Sequence, residues 1–237
     1  MAASLPCLRN SLNIIILLVC YKGLFSFFFR YGHDNLDFVV LFHQLGKEQA
    51  QKLHGDDRLY DVGDTIFIGS TPLGNSSLSL YLREYHDNAL SMYPAIGNVK
   101  EGRLPEEAIE IALSEDALQY LGLDAVIGDT VSLDLSVSVM DGSLSELEYS
   151  ADFVLTGILE SSYIGYASGT VEGIVGEGTA EELLPEEYLL YSTDFKTYDK
   201  QNFQSIIYAL AEDLNVDERY IQYNWVLLDA IGISYDE

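Results

Sequence analysis

The 237-residue chain carries 38 acidic and 12 basic residues, a formal net charge of −26. With 48% hydrophobic and 21% charged residues it can bury a sizeable core and is not a disordered chain. That charge excludes nucleic acid as a partner, because phosphate binding needs clustered Lys and Arg.

The charge is unevenly spread. Arg9, Lys22 and Arg30 precede the first acid, Asp34, and no Lys or Arg occurs between Arg103 and Lys196. The acids read as a solvated, solubilising surface rather than a calcium site, since no Asp-x-Asp-x-Asp-Gly loop is present. Cys7 and Cys20 both fall in the apolar N-terminal stretch, so the folded body has no disulfide and no thiolate metal site. Cysteine usage leaves the compartment open.

Residues 1–35 form an apolar N-terminal segment in which Leu12–Phe29 approaches the length of a membrane span. Lys22 near its centre costs about 2.5–3.5 kcal/mol on insertion scales. A membrane span or anchor is the leading reading, with a signal peptide and a disordered or mis-specified N-terminus as competitors.

Phe38–Phe42 is expected to be a strand and Gly46–His54 an amphipathic helix that buries Ala50 and Leu53 and ends at Gly55. Tyr60–Ile68 is an alternating strand with an irregularity at Gly63-Asp64, Thr71–Asn75 is a loop, and Leu78–Leu82 alternates again. Gly102-Arg103-Leu104-Pro105 signals a turn before the apolar run Glu110–Leu113. Ser114 offers an N-cap with Glu115 and Asp116 in the first turn, and Gly122 sits at the C′ position. Thr130–Val139 and Tyr149–Leu159, turned at Asp141-Gly142-Ser143, form a long β-hairpin.

Ser161–Glu177, rich in glycine, reads as a mobile surface loop, and Gly176-Glu177-Gly178 lacks the Lys of a phosphate-cradling loop. Thr179–Leu184 suggests one helical turn stopped by Pro185. Toward the end, Tyr188–Tyr191 is strand-like, Thr197–Leu214 helical with Asn215 closing it, and Arg219–Leu228 a strand. Strand–helix–strand at both ends around a hairpin-rich middle gives an α+β fold: a split sheet-and-helix subdomain with an inserted β-rich subdomain. The first comprises residues 36–94 plus 188–237, and the insert spans 95–187.

No catalytic constellation emerges. His33, His43, His54 and His86 lack metal-ligand spacing, so no metal is expected. Asp37 near His43 and Glu84 beside His86 could be drawn as acid–base pairs, but surface polarity is the commoner origin of such neighbours. Ile68-Gly69-Ser70-Thr71-Pro72 is only superficially similar to a nucleophile elbow, and Glu106-Glu107 and Glu181-Glu182 would diverge by about 100° on a regular helix. Asn75-Ser76-Ser77 is a glycosylation sequon by pattern alone. Neither a catalytic residue nor a cofactor site is therefore assigned. Seventeen tyrosines on a lysine-poor body suit a contact surface, for which Tyr163, Tyr166, Tyr220, Tyr223 and Trp225 are the candidates; Tyr is also simply a good strand residue.

One ordered series goes further. Gly102-Arg103-x-Pro105, Glu110-Ile111-Ala112-Leu113-Ser114, Leu121-Gly122, Ile127-Gly128-Asp129-x-Val131-x-Leu133 and Phe153-x-Leu155-x-Gly157-Ile158 resembles the extracytoplasmic, MacB-like core domain of FtsX-like ABC transporter permeases, over about Phe38–Glu237. The resemblance implies the same two-part partition, a membrane location with the main domain outside the cytoplasm, and no enzymatic activity. It also implies two partners: a separate cytoplasmic ABC ATPase subunit and the remaining permease helices. Nothing after residue 30 is apolar for long enough to supply those helices, so a truncated or split copy is expected. The alternative is a free-standing secreted acidic protein that binds an extracellular protein or peptide.

Overall fold

A computed structural model describes residues 39–141, 143–161 and 169–233. The segment Leu12–Phe29 and residues Tyr163, Tyr166, His33 and Asp37 lie outside them. The described chain forms ten strands and five helices, together with three short 3-10 turns.

The two ends of the chain interlock. β1 (Val40–Leu45), α1 (Lys47–His54) and β2 (Leu59–Pro72) make one strand–helix–strand unit. β9 (Tyr191–Thr197), α4 (Phe203–Leu214) and β10 (Ile221–Tyr223) make the other. Their strands run in the order β10-β1-β9-β2, all antiparallel neighbours, so each unit has a strand of the other between its own two. This is the double split β-α-β arrangement. It follows from apolar stripes: α1 buries Ala50 and Leu53, and α4 buries Phe203, Ile207, Leu210 and Leu214. Phe42 and Phe195, both fully buried, meet edge to face at 5.2 Å beneath them.

The sheet continues through β3 (Ser79–Tyr85), β8 (Thr170–Val175), β5 (Glu110–Ser114), β7 (Ser143–Leu159) and β4 (Val99–Gly102), with β3–β8 and β5–β7 parallel. β6 (Thr130–Asp141) and β7 form the long hairpin expected at Asp141–Ser143. Val131, Leu133, Leu135, Val137 and Val139 all face inward, as strand alternation requires. α2 (Glu115–Leu121) is capped by Ser114, whose hydroxyl accepts from Ala117 N at 3.2 Å, and ends at Gly122 with φ 73°.

Five expectations need correction. The glycine-rich stretch is not a loop throughout: β8 lies inside the sheet, with Val171, Ile174 and Val175 buried. Its glycines serve close packing. A Cβ on Gly173 would meet Leu82 and Leu113 side chains at 2.7 Å, and one on Gly176 would fall 1.8 Å from Glu107 O. The strand expected at Tyr188–Tyr191 starts only at Tyr191 and runs to Thr197, after a 3-10 turn at Glu186–Tyr188. Helix α4 starts at Phe203, not Thr197. Arg219–Leu228 divides into a 3-10 turn, the three-residue β10 and helix α5 (Trp225–Ala230), because Asn224 Oδ1 accepts from Leu227 N at 3.2 Å and starts a helix there. Thr71-Pro72, placed in a loop, instead ends β2, pairing with Leu80 and Ser79.

Candidate functional site

Glu84 and His86, neighbours on one face at the end of β3, sit in a junction of titratable side chains. Glu84 is 1% exposed. Its Oε1 accepts from Gly178 N at 2.8 Å and its Oε2 from Ala180 N at 2.6 Å, so the carboxylate closes the start of α3 (Thr179–Leu183). His86 places Nε2 2.7 Å from Glu84 Oε1 and Nδ1 3.3 Å from Glu177 Oε1. The first contact is a charge contact rather than a well-aligned hydrogen bond.

Asp64, at the irregular part of β2, mirrors this arrangement. Its Oδ1 accepts from the Thr193 hydroxyl at 2.5 Å, and its Oδ2 lies 3.0 Å from His54 Nε2 at the end of α1. His54 Nδ1 is 3.7 Å from Asp87 Oδ2. Lys47 and Glu181 pair at 2.5 Å on the rim, and a cavity of about 390 Å³ lies between these groups. Hydrogen bonding to Asp64 raises the His54 pKa above its ordinary value despite burial. For His86, burial pulls the pKa down, but the close contact with Glu84 and the charge of Glu177 outweigh it, so the net shift is upward. Each imidazole thus sits between two carboxylates.

The junction is built as an electrostatic clasp. The carboxylates are already engaged by backbone amides, a hydroxyl and the imidazoles. Among the described residues, no three His, Cys, Asp or Glu side chains converge to hold a metal ion. Glu84 and His86 were read from the sequence as surface polar neighbours, and the burial of Glu84 corrects that; Asp64, Thr193 and the α3 amides gave no signal, since they arrive from elements far apart in the chain.

The aromatic candidates are distributed differently. Tyr223 and Trp225 stack at 4.7 Å, and Phe203 meets Tyr223 edge to face at 6.1 Å. All three pack into or against the core, and burial pushes the Tyr223 hydroxyl up to about 12. Tyr220 lies in the turn before β10 under the Arg219 guanidinium, 5.0 Å away. The more exposed aromatics are Tyr198, Tyr208 and Tyr120, none of which stood out in the sequence.

A second cleft, about 370 Å³, runs between the hairpin and the sheet. Phe67, Tyr81 and Arg83 from β2 and β3, and His43 and Ser192 from β1 and β9, line one side. Ser136, Val137, Ser138 and Val139 of β6 line the other, with Tyr188 and Leu190 nearby. The Arg83 guanidinium stands 5.1 Å from the Phe67 ring and 5.7 Å from the Tyr81 ring, and pairs with Glu172 at 3.1 Å. His43 bridges Ser192 Oγ at 3.2 Å and Gln222 Oε1 at 3.1 Å across three adjacent strands. Tyr149 ties the hairpin to the sheet by donating to Ile68 O at 2.8 Å.

No family model matches the sequence, and a search of curated proteins finds no match either. Among solved structures, the chain is similar to the periplasmic region of MacB from Actinobacillus actinomycetemcomitans, with a TM-score of 0.51 and 14% identity over 85% of this chain and 95% of that one. A domain assigned to a permease protein from Porphyromonas gingivalis aligns at a TM-score of 0.42 and 11% identity, covering 81% and 90%; a likeness that weak carries no argument. At such identities the comparison speaks to fold: the described chain has the α+β fold of the periplasmic region of MacB.

Proposed function

We propose that this chain is the extracytoplasmic domain of an FtsX-like ABC transporter permease subunit, which transmits conformational change or recognises a partner or substrate outside the membrane. The observation that carries this reading is the likeness to the periplasmic region of MacB along nearly the whole length of both chains. In this reading residues 36–94 plus 188–237 form one lobe and 95–187 the other. The parallel β3–β8 ladder, the Ser70–Ser136 pairing and the Glu84 contacts to Gly178 and Ala180 are among the connections through which one lobe would push the other. The partners would be a cytoplasmic ABC ATPase and permease helices, and the domain would do no chemistry of its own.

The test is localisation combined with cross-linking in intact cells. The expected result is a membrane-associated chain whose body is cleaved by protease added from outside. It should also cross-link to a permease complex whose ATPase, when blocked, changes the cross-linking pattern. Recovery as a free protein in the medium, with no ATPase-dependent contact, would support the alternative of a secreted acidic binding protein. Recovery in the cytoplasm would overturn both.

A further inference from the structure

The hairpin strand β6 has one edge fully paired with β7, from Thr130 to Asp141. Its other edge pairs with β2 at a single position, Ser136 with Ser70. Beyond that point, residues Val137–Val139 have no second strand beside them among the described residues. They face the 370 Å³ cleft, and four consecutive residues, Ser136 to Val139, line it. Successive side chains of a strand point to opposite faces. A cleft lined by a consecutive run therefore meets the strand along its backbone edge rather than on one face.

Proteins ordinarily protect such edges with charge, proline, a bulge or a covering segment. Here the stretch along the cleft reads Ser136-Val137-Ser138-Val139, with no charge, proline or glycine. Its charge environment is also unusual for this molecule. The histidine–carboxylate cavity includes Asp64, Glu84, Asp87, Glu177 and Glu181 in its lining, and the groove beside α4 includes Glu212 and Asp217. Among the described residues, no acid lines the β6 cleft, although the chain has 38 of them. Serine hydroxyls at 70, 136, 138 and 192, the rings of Phe67, Tyr81 and Tyr188, His43, and Arg83 in its pairing with Glu172 take their place.

From this edge and its surroundings we infer that the cleft receives an extended peptide segment of a partner protein, which adds to β6 as an extra strand. Main-chain hydrogen bonds to the β6 edge supply the attachment, and alternate side chains of the segment enter the space between Phe67, Tyr81 and Tyr188. The segment has aliphatic or hydroxylated side chains, since the cleft's guanidinium, Arg83, is already paired with Glu172 and the cleft offers no acid to pair a buried cation. This deepens the proposed role, naming where a partner outside the membrane would be gripped. It rests on that reading only for the partner's location; the binding itself is a property of the isolated chain.

The experiment uses the full chain and peptides selected against it from a randomised displayed library. Synthetic copies of the enriched peptides, acetylated and amidated, are titrated and then mapped by amide hydrogen exchange. The expected result is slowed exchange at residues 136–139 on binding. Methylating one alternating set of the peptide's backbone nitrogens should weaken binding roughly tenfold or more, whereas methylating the other set is tolerated. Substituting Ser138, an exposed rim residue opposite Glu146, with Lys should weaken the same peptides without lowering the melting temperature. Three outcomes would overturn the inference: no peptide enriched over a control protein of equal charge, protection confined to another surface, or affinity indifferent to methylation of either set. Self-association of the chain through this edge, seen by sedimentation, would replace the partner with a second copy and also overturn it. Because the binding assay needs no membrane, failure here leaves the localisation test untouched, and the reverse also holds.

Discussion

At the scale of single residues, Glu84, 1% exposed, holds two backbone amides and a histidine at once. Replacing it with Ala removes the acceptor of two buried amides and one member of a histidine pair. Losses of this kind cost about 3 kcal/mol, and the expected Glu84→Ala phenotype is a large drop in the urea midpoint. The two histidines predict a pH dependence of definite sign. Both have folded-state pKa values raised above the unfolded value, so their contribution is fully present below about pH 6.5 and fades as pH rises through the folded value. Chemical denaturation between about pH 6 and pH 8 should therefore show falling stability in the native chain. The double variant His54→Gln, His86→Gln should be less stable at the acid end and flatter across the range. A double variant with an unchanged slope would show that the clasp contributes nothing to the pH profile.

Elements are decided by caps and close approaches. Ser114→Ala should cost about 1 kcal/mol, read as a lower melting temperature, because Ala117 N loses its side-chain acceptor. Gly176→Ala is expected to be worse: its Cβ would fall 1.8 Å from a backbone oxygen that cannot swing aside, so β8 or the Glu107 turn must move. The same glycines explain where the sequence misleads. A run with Gly165, Gly169, Gly173, Gly176 and Gly178 has the composition of a surface loop. Composition does not distinguish a glycine that frees the backbone from one that makes room for Leu82 and Leu113. Likewise Val226, Leu227 and Leu228 suit a strand by propensity; the Asn224 cap, with Leu228 fully buried, made them helical instead.

For the molecule as a whole, the net charge of −26 is the dominant long-range term. Self-repulsion destabilises the compact state and salt screens it, so the melting temperature should rise between low salt and about 0.5 M sodium chloride. An unchanged or falling value would mean that the local ion pairs outweigh the global repulsion.

The elements with strong local signals could be read directly. The Ser114-capped helix ending at Gly122, the Thr130–Leu159 hairpin and the amphipathic face of α4 each follow from neighbours within a turn or a strand. That is why the α+β class and the resemblance to the MacB-like domain were legible in the residues themselves. What tertiary structure alone decided was which distant segments meet. β9 inserts between β1 and β2, Thr193 reaches Asp64, the α3 amides reach Glu84, and the hairpin leaves one strand edge facing a cleft without acids. These contacts join residues far apart in the chain, and no local periodicity records them. They exist because apolar stripes on separate elements had to be buried together, and that burial fixed which polar groups and which backbone edge were left facing one another.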